Sequence, residues 1–89
     1  MNLRFTSQSL KDLNRLKLFI EEKNSLAANK YINRLLKVIK QLKDQPKIGK
    51  VLEDEKSVRQ LVAGDYIIRY SIRTDVIYIL KIWHGKESR

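Results

Sequence analysis

His84, the single histidine of the chain, is followed two residues later by Lys86, and Arg59 opens an earlier β-rich stretch. These residue types can cut RNA without a cofactor. The 2′-hydroxyl of the RNA attacks its own phosphate, a His, Lys or Tyr moves protons, and arginines stabilise the pentavalent phosphorane. His84, Arg59 and Lys86 are therefore the candidate catalytic set of a metal-independent endoribonuclease. A lone histidine closing a strand is more often structural, and a tail with Lys86 and Arg89 is equally suited to gripping an anionic surface. One histidine and no cysteine exclude a Cys–His nucleophile pair and a multi-histidine metal site, and there is no P-loop, dinucleotide turn or nucleophile motif. Neither a metal nor a cofactor is expected. The acidic triplet Glu53, Asp54 and Glu55 reads as a solvated loop or an internal counter-charge to the arginines.

These residues need a scaffold, and the pattern of the chain supplies one. "NLRFT" alternates, with Leu3 and Phe5 on one face, as a short opening strand does. Thr6 or Ser7 can cap the helix that follows, whose stripe is Leu10, Leu13, Leu16 and Ile20 with Phe19, running to about Lys23. Ser25 can cap a second, longer helix with Ala28, Ile32, Leu35, Ile39 and Leu42 on its apolar side and Lys30, Arg34, Lys37 and Lys40 on its outer side. So short a link makes the two an antiparallel hairpin. "DQPKIGKVLEDEK", with the only proline, is a loop. The period then changes to two: "SVRQLV", "YIIRYSI" and "VIYILKIWH" are strands joined by the turns "AGD" and "RTD". The order is β-α-α-β-β-β, a single α+β domain over residues 1–89 with the helical hairpin packed on one face of a largely antiparallel sheet.

Strict alternation divides the sheet into unlike faces. Tyr66, Ile68, Tyr70 and Ile72, with Val58, Val62, Tyr78, Leu80 and Ile82, are expected to meet the helices. Arg59, Arg69, Arg73 and Lys81 then gather on the opposite face among Ile77, Ile79 and Trp83. Such a mixture of arginine, isoleucine and tryptophan suits a surface covered part of the time by a protein, or one that grips phosphates beside a stacked base. Arg59, Arg69, Arg73, Lys81, Trp83, Lys86 and Arg89 are the expected partner- or phosphate-binding residues. The same parity puts His84 on the helix side with Ile82.

Bulk properties agree with an anionic partner. Nineteen Lys and Arg against ten Asp and Glu give a formal charge of +9 on 89 residues. The absence of cysteine suits a reducing cytoplasm. The opening segment lacks the apolar run of a signal peptide, and runs such as "VIYIL" are far shorter than the roughly 18–20 residues that span a bilayer. A cytoplasmic protein without a membrane role is expected.

The stretch "VRQLVAGDYIIRYSIRTDVIYILKIWHGKESR" resembles the C-terminal half of the ParE/RelE superfamily of bacterial toxins from type II toxin–antitoxin modules. The resemblance rests on Val58-Arg59, the "GDYIIRY" strand, the "IYIL" strand and the histidine that closes it. Upstream, the opening strand, the helical hairpin with "AANKYI" and the "QPKIG" segment are similar to the same layout. It implies a growth-arresting toxin neutralised by a cognate antitoxin, the pair repressing its own operon, so that operator DNA is bound through the antitoxin. RelE-like members cut mRNA on the ribosome with a Lys and Arg cluster and a C-terminal acid or base, often tyrosine. ParE-like members inhibit DNA gyrase and lack that set. The ending "IWHGKESR" is closer to the ParE-like close, and no tyrosine follows His84. Ribosome-dependent mRNA cleavage, with His84 in the tyrosine's place, and a stand-alone nucleic-acid-binding module are the alternatives.

Overall fold

A computed structural model describes residues 1–87. The chain runs β1 (Asn2–Phe5), α1 (Ser7–Asn24), α2 (Ala28–Gln41), β2 (Lys50–Val51), β3 (Arg59–Ala63), β4 (Tyr66–Arg73) and β5 (Val76–His84). The strands form one sheet in the order β1-β5-β4-β3-β2, parallel between β1 and β5 and antiparallel elsewhere. The α+β arrangement is the one the periodicities predict, with one addition. The two-residue β2, inside the segment expected to be loop, pairs Lys50 with Gln60 and Val51 with Arg59. Among the described residues, no helix is long and apolar enough to cross a membrane.

Thr6 caps α1, its side-chain oxygen accepting the N–H of Ser9 at 3.1 Å. Ser25 does not cap α2; that position falls to Ala27, whose side chain has nothing to offer. The apolar stripe of α1 also begins later than its leucines suggest. Leu10 is 54% exposed, and the buried positions are Ser9, Asp12, Leu16 and Ile20. Polar residues lead because β1 ends at Phe5, so beyond Ile79 the edge of β5 turned away from β4 has no strand partner, and buried backbone groups need partners. The Thr6 hydroxyl donates to Ile79 O at 2.9 Å. Asp12 accepts Ile82 N–H at 2.9 Å, and Arg15 donates to Ile82 O at 3.0 Å. Glu87 accepts His84 N–H at 2.8 Å and pairs with Arg15. Past Leu10 the expected stripe holds, with Leu13 packed against the core and Leu16 and Ile20 buried.

The core comprises Leu16, Leu35, Ile39, Leu42, Ile68, Tyr70, Ile77, Ile79 and Ile82. Ile77 and Ile79 correct the parity-based assignment, which put them on the far face. Along the β4–β5 ladder Arg69 pairs with Lys81 but Tyr70 pairs with Ile79, so Leu80 is an extra residue on β5. A bulge reverses the alternation of everything beyond it. Ile82 and His84 face the helices on one side of it, and Ile77 and Ile79, both fully buried, do so on the other. Tyr78 and Leu80, expected in the core, therefore leave it. On β3 the phase is also opposite to expectation. Arg59, Leu61 and Ala63 pair with Tyr70, Ile68 and Tyr66 on the helix side, while Val62 is 63% exposed.

Two-residue turns join the hairpins, Gly64-Asp65 between Ala63 and Tyr66, and Thr74-Asp75 between Arg73 and Val76. Gly64 takes φ +62°, the left-handed conformation such turns require and glycine adopts without strain.

Candidate functional site

Tyr70, in the "GDYIIRY" strand, fixes the loop that precedes the sheet. Its buried hydroxyl donates to Pro46 O at 2.8 Å and accepts Gly49 N–H at 2.9 Å, so it clasps both ends of the "PKIG" segment. Burial raises the pKa of this phenol, more than the Gly49 bond and the nearby Arg59 charge lower it. Arg59 reinforces the clasp from the same side of the sheet, donating to Gly49 O at 2.8 Å and Lys47 O at 3.2 Å. It does not join Arg69, Arg73 and Lys81, which was its expected place.

His84 lies at the other end of the sheet, paired with Tyr66. Its ring stands edge-on to Tyr66, with centroids 5.2 Å apart, and 5.4 Å from the Phe19 ring, within the range of favourable aromatic contacts. Nδ1 accepts the Lys86 N–H at 3.0 Å, so in the neutral ring the proton sits on Nε2. Nε2 is 3.8 Å from an Asp65 carboxylate oxygen, beyond hydrogen-bond reach. The histidine and Lys86 form part of a groove of about 820 Å³ between the helical hairpin and the β3–β4 turn. Phe19, Ile20, Leu35, Val38, Ala63 and Tyr66 supply its apolar lining, and Lys23, Arg34 and Lys86 supply positive charge. Two of these cations rest on rings, Lys23 at 5.7 Å from the centroid of Phe19 and Arg34 at 5.9 Å from that of Tyr31. Burial, then Asp65, then Tyr31 raise the Tyr66 phenol, which stays protonated at neutral pH.

The helix-free face of the sheet is separate from this groove. Cross-strand pairing sets Lys81, Arg69, Gln60 and Lys50 in one row, with Trp83, Ile67 and Val62 in the next. Arg69 donates through Nε to Gln60 at 2.9 Å, and its guanidinium carbon lies over the Trp83 ring, 5.0 Å from the centroid. Arg4, opposite Tyr78, and Arg73, opposite Val76, extend the same face. Thus Arg69, Arg73, Lys81 and Trp83 come together as expected, His84 and Lys86 form a second group, and Arg59 belongs to neither. Arg89 lies outside the described residues.

The comparisons with known proteins bear on this architecture. A family profile described as ParE toxin of type II toxin-antitoxin system, parDE, matches residues 3–89. The chain belongs to the ParE toxin family. Among solved structures it is similar to one titled as the chromosomal ParDE TA system from P. aeruginosa, with TM-score 0.86 at 20% identity over 97% of each chain. A conserved hypothetical protein from Helicobacter pylori is similar with TM-score 0.61 and 20% identity, over 98% of this chain and 97% of that one. At these identities the likeness shows the fold. A comparison with curated protein sequences finds no match.

Membership of the ParE family bears out the resemblance carried by "GDYIIRY" and "QPKIG", and the clasp gives those motifs a physical reason. Phe19 and Tyr66 read from sequence as core positions and Arg34 as an outer-face position of α2, so nothing local marks them as lining one groove with Tyr31. Lys50 escaped sequence reasoning because β2 was unread. Arg4 was legible, since it alternates with Leu3 and Phe5.

Proposed function

We propose that this ParE-family toxin arrests growth by contact, through inhibition of DNA gyrase, and that a cognate antitoxin neutralises it by occupying the groove beside His84. The observation that carries the contact reading is the separation of Arg59 from His84. Arg59 pairs with Tyr70 and His84 with Tyr66, on the two strands flanking β4. Four residues along a strand and two strand spacings across it amount to roughly 16 Å, too far for one phosphate to meet both. The one lone pair of neutral His84 is also engaged by the Lys86 N–H, so the ring is not a ready general base. The groove supports the antitoxin reading: an apolar floor with cationic sides suits an acidic amphipathic segment, the chemistry complementary to a toxin of charge +9.

Purified toxin, assayed in parallel for gyrase supercoiling and for cleavage of ribosome-bound mRNA, tests the proposal. Loss of supercoiling with intact mRNA is the expected result. Codon-specific mRNA cleavage abolished by His84→Ala would overturn it in favour of a RelE-like endoribonuclease. Expression of the chain alone should stop growth, and coexpression of an acidic partner encoded beside it should restore growth.

A further inference from the structure

We propose that the helix-free face of the sheet binds single-stranded nucleic acid, its phosphates on the Lys81–Arg69–Lys50 row and a base stacked at the Arg69–Trp83 pair. This goes beyond gyrase inhibition and does not depend on it. The first support is charge. Among the described residues no strand residue is acidic, and of the six strand cations five, Arg4, Lys50, Arg69, Arg73 and Lys81, lie on this face, Arg59 being the exception. None of the five pairs with a carboxylate among the described residues. The second is the setting of Arg69. Gln60 holds its Nε and Trp83 lies beneath it, which orients the two terminal nitrogens of the guanidinium for a phosphate and presents a π-rich pair to a base.

Shape and composition select the occupant. Because the Leu80 bulge buries Ile77 and Ile79 and leaves Tyr78 and Val76 beside Arg4 and Arg73, the cationic row divides the apolar groups of this face into two small sets, Trp83, Ile67 and Val62 on one side and Tyr78 and Val76 on the other. A protein interface needs a broader apolar centre. Five strands at about 4.8 Å spacing span about 19 Å, wider than the roughly 12 Å major groove of a duplex, so a flexible single strand fits where a duplex does not.

Full-length toxin and a short fluorescent oligothymidylate, followed by anisotropy over a range of salt, test the assignment. Trp83→Ala should weaken binding about tenfold through lost stacking. Lys81→Ala should lower the magnitude of the slope of log K against log salt by about 0.7, the value for one phosphate contact on a single strand. Arg69→Lys keeps charge and fold but not the fork or the stack; it should weaken binding with the slope unchanged, and it serves as the stacking test if Trp83→Ala does not fold. Removing two cations from α2, as Lys30→Ala with Lys37→Ala, should change the slope by much less. An equal effect from the α2 pair would reduce the binding to diffuse charge and overturn the proposal. Tighter binding to the matching duplex, or displacement of the oligonucleotide by polyglutamate at equal charge, would overturn it as well.

Discussion

The Asp12 carboxylate, 3% exposed, accepts the main-chain N–H of Ile82 at 2.9 Å across seventy residues of sequence. The same carboxylate pairs with Arg15 and accepts from Gln8. Burial by itself would raise its pKa, but the bonds from Ile82, Arg15 and Gln8 together outweigh burial and hold it below the ordinary carboxylate range. Asp12→Ala strips partners from the Ile82 N–H and from Arg15, and should cost roughly 2–4 kcal/mol in chemical denaturation.

Because the folded pKa of Asp12 is depressed, its contribution is complete above the unfolded value of about 3.9 and is lost as pH falls through the lower folded value. Denaturation midpoints measured between pH 6 and pH 2 should therefore drop below about pH 4. Asp12→Asn should flatten that part of the profile, and an unchanged profile would show that other carboxylates control acid unfolding.

Tyr70→Phe removes both bonds of the clasp and leaves the Gly49 N–H buried without an acceptor, for a loss of about 1–3 kcal/mol. A Cβ on Gly49 would come within 2.7 Å of the Tyr70 hydroxyl and 3.0 Å of the Gln60 carbonyl, so Gly49→Ala should be at least as damaging. The raised phenol pKa gives the alkaline sign. Stability is present below the unfolded value of about 10 and is lost as pH rises toward the folded one, a decline that Tyr70→Phe should remove.

Arg59→Ala should lower the thermal midpoint, at a cost of about 1–2 kcal/mol for two bonds to loop carbonyls, while gyrase inhibition survives below the new midpoint. Full stability with lost inhibition would place Arg59 in contact with the target instead.

At the groove, His84→Ala removes the ring between Phe19 and Tyr66 and should weaken antitoxin binding more than tenfold in calorimetry with the fold intact. Lys86→Ala should weaken it less, with an effect that fades at high salt because exposed charges are screened. Point substitution is a cleaner probe than truncation of the tail. Residues 86–89 include Glu87, which holds Arg15 and the His84 N–H, so their deletion would disturb the fold as well as the charge.

Element types were legible in the sequence because the change from a 3.6 to a 2.0 period at Pro46 is abrupt. The orientation of β5 was not, because nothing local in "VIYILKIWH" distinguishes an extra residue from a regular one when almost every position is apolar. The same density of apolar residues disguised β3, where Leu61 and Val62 are equally fit for burial. Arg69 and Arg73 lie on the expected face because β4 has no extra residue, and Lys81 and Trp83 do so because they lie on the side of the bulge where parity along β5 holds. Asp12 offered a signal that went unread: a carboxylate between Lys11 and Leu13, within reach of the apolar stripe, marks a position that serves a backbone group.

"VIYIL" combines strong β propensity with no charge, the makeup of a segment that templates aggregation when its edge is open. In the folded chain β1 and β4 flank it, and where β1 stops, Thr6, Asp12 and Arg15 occupy the hydrogen-bonding groups that a second molecule would need. Growth of the sheet by strand addition at this end would have to displace the buried Asp12 carboxylate and its Arg15 partner, a form of edge protection. The seam that anchors the first helix thus also keeps a concentrated, overexpressed toxin from self-assembling, and its loss should appear as fibrils or precipitate as well as a lower midpoint.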